Sequence, residues 1–111
     1  MLLKDRFVII TGCNKGIGRA VLDVSVKNGA SIIACIRNPT DEFICYTDKL
    51  SKKYCCEIHV VKFDLTDHEQ IKSAGKEIIS LKKNIHALVN NAAGIQSSIF
   101  QKTIKHIHIL F

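Results

Sequence analysis

The stretch IITGCNKGIG, Ile9 to Gly18, sets three glycines, Gly12, Gly16 and Gly18, between two apolar runs. The run before it, RFVIIT, is β-branched and almost wholly apolar, as a strand buried on both faces must be. The run after it, IGRAVLDVSVKNGA, turns Ile17, Val21, Val24 and Val26 towards one side and stops at Asn28-Gly29, a pair suited to ending a helix. A glycine loop in this place lets the backbone turn sharply and approach an anion closely. The helix behind it offers unpaired N–H groups and a partial positive charge, both favourable to phosphate. A tight turn holding no ligand would use the same glycines. The fingerprint G-x-G-x-x-G is absent; the spacing is T-G-x-x-x-G-x-G.

Outward from this loop, short apolar runs alternate with longer amphipathic ones. SIIACI (31–36) reads as a second buried strand. DEFICYTDKLSKKY (41–54) carries Phe43, Tyr46 or Thr47, and Leu50 at helical spacing, after Pro39 has broken the preceding element. EIHVVKF (57–63) alternates enough for a third strand. Thr66 and Glu69, three residues apart, form a capping box that opens a helix with apolar positions Ile71, Ala74, Ile78 and Leu81. IHALVN (85–90) is a fourth strand. The order βαβαβαβ requires crossovers that carry helices, and so a mainly parallel sheet. Right-handed crossovers give a Rossmann-like α/β fold with strand order 3-2-1-4 and helices on both faces. Ligands bind such sheets beyond the carboxyl ends of the strands, where the order reverses. Here that point lies between the first and fourth strands, and the glycine loop and the pair Asn90-Asn91 converge on it.

The 111 residues contain no Ser/Gly-rich linker, repeat or low-complexity tract, which predicts a single domain over 1–111. Hydrophobic residues make up 47% and charged ones 23%, a globular and not a disordered profile. Lys, Arg or Asp interrupts every apolar run before it reaches bilayer length, so no membrane partner is expected. MLLKDRFVII lacks the apolar core and cleavage site of a secretory signal, which predicts a cytoplasmic protein. The five cysteines are odd in number and form no C-x-x-C pair. Cys55, Cys56 and His59 have no second pair at zinc-finger spacing, so reduced, mostly buried thiols are expected and no metal. A net charge of +6 raises nucleic acid as a partner. The lysines are scattered, however, with Lys49, Lys52 and Lys53 in one segment and Lys72, Lys76, Lys82 and Lys83 in another. Seven aromatics without a tryptophan offer little for stacking on bases, so solvated helix faces are expected and no nucleic acid.

Three motifs carry a resemblance. TGCNKGIG resembles the cofactor loop of the short-chain dehydrogenase/reductase family, FDLTD its acidic turn after strand three, and LVNNAAG its N-N-A-G stretch at the end of strand four. They stand in the family's order and at its usual separations, and the likeness runs from about residue 4 onwards. Ala93 stands where glycine is commoner. The resemblance implies a nicotinamide dinucleotide. On that pattern Gly12, Cys13, Asn14, Lys15, Gly16, Ile17 and Gly18 wrap the diphosphate and adenosine ribose. Asp64 bonds the adenine amino group with Leu65 beside the ring. Asn90 and Asn91 support the strand end and touch the adenosine half, while Ala92, Ala93 and Gly94 line the floor.

Charge argues the choice of cofactor. An enzyme preferring NAD ends its second strand with an acid that bonds the ribose hydroxyls, whereas a 2′-phosphate is repelled by that acid and attracted by arginine or lysine. Here Ile36 occupies the acid's place, Arg37 follows, and Lys15 is the other position where the family sets a basic residue. NADP(H) is favoured over NAD(H).

Carbonyl reduction in this family uses a tyrosine as general acid, a lysine four places later that lowers its pKa, an orienting serine and an asparagine in the fourth helix. Tyr46 is followed four places on by Leu50 and Tyr54 by Ile58, so no catalytic residue is assigned. SIFQKTIKHIHILF resembles the start of the fourth helix, with Phe100, Ile104, Ile107 and Phe111 on one side, although Ile107, Ile109 and Phe111 also alternate as in a strand. His106 and His108 read as solvent-facing. These features predict an incomplete domain, truncated after the fourth strand and the start of the fourth helix. With strand four as an open edge, the chain alone should be marginally stable or aggregate, and the family's oligomers are not expected of it. One reading is the cofactor-binding half of an NADPH-dependent ketoreductase, closest in look to 3-oxoacyl-acyl-carrier-protein reductases, taking a small carbonyl or acyl substrate only in a full-length form. The other is an inactive truncated or frameshifted product that at most binds nucleotide.

Overall fold

A computed structural model describes residues 2–91 of the chain. Their order is β1 (Phe7–Thr11), α1 (Gly16–Lys27), β2 (Ser31–Ile36), α2 (Asp41–Tyr54), β3 (Ile58–Lys62), α3 (His68–Ser80) and β4 (Ile85–Asn90). The four strands are parallel and lie in the order β3-β2-β1-β4, as the crossover argument requires. The expected fourth helix, His106 and His108, and the expected floor residues Ala92, Ala93 and Gly94 lie outside the described residues.

β1 and β2 are interior strands, and every residue of both is buried. Their side chains alternate between two cores. Phe7, Ile9, Ile33 and Cys35 join Ile71, Ala74 and Ile78 of α3 on one face. Val8, Ile10, Ile32, Ala34 and Ile36 join Leu22 and Val26 of α1 and Phe43 of α2 on the other. A strand feeding two cores has little room for polar side chains, and in β1 and β2 these are confined to the strand ends, Thr11 and Ser31. β3 and β4, each paired on one side only among the described residues, are mostly half-buried.

Three expectations are corrected in detail, while the core face of α2 is as expected. Of the expected stripe of α1, Val26 is buried and Val21 packs half-buried against the core, but Ile17 is 76% exposed and Val24 59%; the buried positions are Gly18, Leu22, Ser25 and Val26. The stripe is set by the need to seat Gly18 on the end of β1, which rotates Ile17 and Val24 to the outside. Along α2, Phe43 and Thr47 are the buried positions, with Tyr46 and Leu50 half-buried beside them. The cap of α3 is Asp67, which accepts from the N–H groups of Glu69 and Gln70 at 3.0 and 3.2 Å. Thr66 is drawn instead into a turn closed on Asp64, so the helix starts one residue later than the capping box implied. The thiols, finally, are not mostly buried. Cys13 and Cys35 are buried, but Cys45 lies on the outer face of α2, and exposed Cys55 ends that helix in a left-handed conformation (φ 52°).

Among the described residues the lysines follow the expectation of solvated faces, with one exception. Lys83 is half-buried, 3.4 Å from Glu57 and over the Phe7 ring. Among the described residues no helix is long and apolar enough to cross a membrane.

Candidate dinucleotide site

A cleft of about 400 Å³ opens over the carboxyl ends of β1, β2 and β3, within the size range of small-molecule sites. Gly12, Asn14 and Lys15 form one wall, Ile36, Arg37 and Asn38 a second, and Phe63, Asp64, Leu65 and Thr66 a third, with Thr11 and Cys35 at the base. Six of the expected site residues, Gly12, Asn14, Lys15, Arg37, Asp64 and Leu65, therefore meet on one cavity although they are spread over three separate turns. The cleft lies to the β2–β3 side of the glycine loop and not in the β1–β4 crevice.

The loop is shaped for an anion. Gly16 opens α1 with a left-handed φ of 61°, a conformation that side chains rarely adopt. Gly18 is pressed against the loop: a Cβ placed on it would lie 2.3 Å from the Gly12 carbonyl oxygen and 2.7 Å from Asn91 Nδ2. The cap position of α1, Lys15, is extended and makes no side-chain cap, and no acid stands in the first turn. α2 and α3 are capped by Thr40 and Asp67. Among the described helices α1, whose first turn follows the cleft-lining Lys15, is the one whose positive end lacks a side-chain cap, the arrangement that receives a phosphate.

Cys13 turns inward beneath the loop, its Sγ 3.8 Å from the Ile10 carbonyl oxygen. Burial pushes its pKa up to about 11 against a smaller lowering by a backbone hydrogen bond and by Arg19. Burial also raises the Cys35 thiol well above its usual value. At pH 8 an alkylating reagent should therefore label Cys45 and Cys55 first and leave Cys13 and Cys35 unmodified while the protein stays folded. Peptide mass mapping checks this, and labelling of Cys13 as fast as Cys45 would contradict the buried placement.

At the far wall, Asp64 Oδ1 accepts from the N–H and hydroxyl of Thr66 at 2.9 and 2.7 Å, and Oδ2 lies 3.5 Å from Arg37 Nε. The Asp64 N–H in turn donates to Gln70 Oε1 at 2.8 Å. The two Thr66 bonds and, less strongly, the Arg37 charge hold the Asp64 carboxyl below its usual pKa. A lowered folded pKa means that this turn is supported at every pH above the unfolded value near 4 and loses that support as pH falls through the folded one.

Asn90 and Asn91 do not line the cleft. They brace the end of β4 against β1: Thr11 Oγ1 donates to Asn90 Oδ1 at 3.2 Å, and Asn91 Nδ2 donates to the Gly12 carbonyl at 3.2 Å. Ile17 stands exposed on the first turn of α1. Sequence reasoning did not single out Asn38, Phe63 or Thr66 as lining residues. For Thr66 a signal was present, because D-x-T is a sequence that closes an Asx turn.

A family model described as short chain dehydrogenase matches residues 6–107. Dehydrogenase/reductase SDR family member 7B of Xenopus tropicalis is 32% identical over 96 residues, covering 81% of this chain and 30% of the relative. The 3-oxoacyl-[acyl-carrier-protein] reductase FabG of Aquifex aeolicus is 30% identical over 99 residues, covering 88% and 39%. The chain thus spans about a third of the length of these curated relatives. L-sorbose reductase from Gluconobacter frateurii, solved with NADPH and L-sorbose, superposes with a TM-score of 0.77 at 22% identity over 96% of this chain and 47% of that one, a likeness of fold. The sheet order, the glycine loop and the match over most of the length agree, and the chain belongs to the short-chain dehydrogenase family.

Proposed function

We propose that this chain binds NADP(H) in preference to NAD(H), as the cofactor-holding part of a cytoplasmic oxidoreductase that reduces a carbonyl group. The observation that carries the reading is that Lys15 and Arg37 line one cleft while the end of β2 offers Ile36 where a ribose-binding acid would stand. A 2′-phosphate there meets two cations, one of them, Arg37, shared with Asp64 at 3.5 Å, and charge-assisted bonds to arginine are the stronger kind. Gly12 to Gly18 would take the diphosphate on the uncapped end of α1. Asp64 and Leu65 would take the adenine, and Asn90 and Asn91, followed by Ala92, Ala93 and Gly94, would carry the floor towards the nicotinamide. The bound nicotinamide supplies a hydride; these residues orient it and exclude water from its diphosphate. The 3-oxoacyl and L-sorbose reductase names among the relatives favour a carbonyl or 3-oxoacyl substrate. Fluorescence titration with NADPH and NADH tests the reading. NADPH should bind about tenfold more tightly or better, and equal affinities or a preference for NADH would contradict it.

A second observation bears on turnover. Neither tyrosine is followed four places later by lysine; Tyr46 and Tyr54 lie in α2, and Tyr46 is engaged with Arg19 and Asp23. Binding is therefore proposed for these residues, and hydride transfer for a protein that carries a Tyr-x-x-x-Lys pair besides them. NADPH consumption by the chain itself with 3-oxoacyl thioesters would overturn that division.

A further inference from the structure

Arg19 sits on the first turns of α1, behind the glycine loop and outside the residues that line the cleft. Its Nη1 donates to the Asn14 carbonyl at 3.1 Å, and its guanidinium lies 3.7 Å from the centroid of the Tyr46 ring. The Tyr46 hydroxyl donates to Asp23 Oδ1, one helical turn beyond Arg19. Tyr46 of α2 is thus gripped by two residues of α1 at i and i+4, a cation over its face and a carboxylate on its hydroxyl. Phe43, the buried anchor of α2, stands 5.8 Å from the same guanidinium. This places α2 in mechanical contact with a peptide group of the loop.

We propose that Arg19 is a positioning residue for the dinucleotide loop, held in place by Tyr46 and Asp23; the role rests on the cofactor reading above. The Asn14–Lys15 peptide is planar and trans, so its carbonyl and the Lys15 N–H face opposite ways. With the carbonyl pinned to Arg19, the Lys15 N–H is turned to the other side. Asn14 and Lys15 both line the cleft, so the orientation of this one peptide decides what the loop shows to an anion. A flat, permanently charged guanidinium suits the task because it can stack and donate at once, which an ammonium on a flexible stem does not.

The clamp differs from Arg37 in what it should discriminate. Arg37 is placed for the 2′-phosphate, whereas the Lys15 N–H that the clamp orients faces the diphosphate that both cofactors share. Tyr46→Leu, which changes no charge, should weaken NADPH and NADH by the same factor, about fivefold, leaving their ratio intact. Tyr46→Phe keeps the ring and should weaken both less. Arg19→Lys keeps the charge and loses the stack, and it should behave as Tyr46→Leu does. Melting temperatures identify any variant that fails to fold. Amide hydrogen exchange on the unliganded chain supplies a readout free of cofactor: residues 12–16 should exchange faster in Tyr46→Leu while β1 stays as protected as before. Wild-type binding of both dinucleotides, with a folded Tyr46→Leu variant that binds them equally well and shows unchanged loop exchange, would overturn the clamp. Failure of the wild-type chain to bind either dinucleotide would instead remove the cofactor reading, and loop exchange would still decide whether Tyr46 orders the loop.

Discussion

Gly18→Ala should unfold much of the protein or leave it unable to bind a dinucleotide. The added Cβ would stand 2.3 Å from the Gly12 carbonyl oxygen and 2.9 Å from its carbon, both backbone atoms. Neither can yield without lifting α1 off the end of β1 or breaking the bond from Asn91 to Gly12. Overpacking a rigid contact costs about 1–3 kcal/mol, and backbone on backbone belongs at or above the upper end. A loss of about 3 kcal/mol is a drop of roughly 10 °C or more in Tm for a chain of this size. Gly16→Ala is the control. It meets no atom within 4 Å but must hold a φ of 61°, so its cost is strain alone, about 1–2 kcal/mol. Circular dichroism melts of the two variants should rank Gly18→Ala clearly below Gly16→Ala. The reverse order would mean that α1 does not press on the loop as described.

The second large effect concerns cofactor choice. Arg37→Gln removes one of the two cations on the cleft and leaves the diphosphate wall untouched. The Arg37 side chain is 72% exposed, so the substitution should change stability little. A charge-assisted hydrogen bond lost from the 2′-phosphate is worth about 1.5–3 kcal/mol, a weakening of NADPH by roughly 10- to 100-fold. NADH should weaken far less, because it lacks the 2′-phosphate and Arg37 reaches its adenine only through Asp64, which Thr66 holds more strongly than Arg37 does. Since Arg37 is exposed, the preference for NADPH in the unaltered chain should also shrink as salt is raised. Parallel fluorescence titrations of parent and variant check both points. Equal weakening of both cofactors by Arg37→Gln would place Arg37 on the shared part of the dinucleotide.

Much of this architecture was legible in the residues. SIIACI and IHALVN are strands over the ranges their composition outlined, and DEFICYTDKLSKKY is a helix over the whole stretch. These elements read well because their periodicity and their breakers agree. The helix faces read less well. The apolar count placed Val21 and Val26 of α1 on the core but also Ile17 and Val24, which are exposed, since the contact of Gly18 with the loop bears on the helix's rotation. The start of α3 was misplaced for a similar reason. Thr66 and Asp67 are both competent caps, and the bonds from Thr66 to Asp64 decide between them. At the site, the loop and the strand ends were visible as motifs. The convergence of Asp64 with Arg37, and of Arg19 with Tyr46, is a product of packing between elements far apart in sequence, which no local pattern records.

The central claim is that the cleft over β1, β2 and β3 receives the adenosine end of a dinucleotide and recognises its 2′-phosphate. Calorimetric titration with adenosine 2′,5′-bisphosphate and with adenosine 5′-monophosphate tests it most directly, because the two ligands differ only in the 2′-phosphate. The account predicts that both bind and that the 2′,5′-bisphosphate binds about tenfold more tightly or better, with the difference falling as salt rises. Equal affinities for the two, or binding of neither, would contradict it.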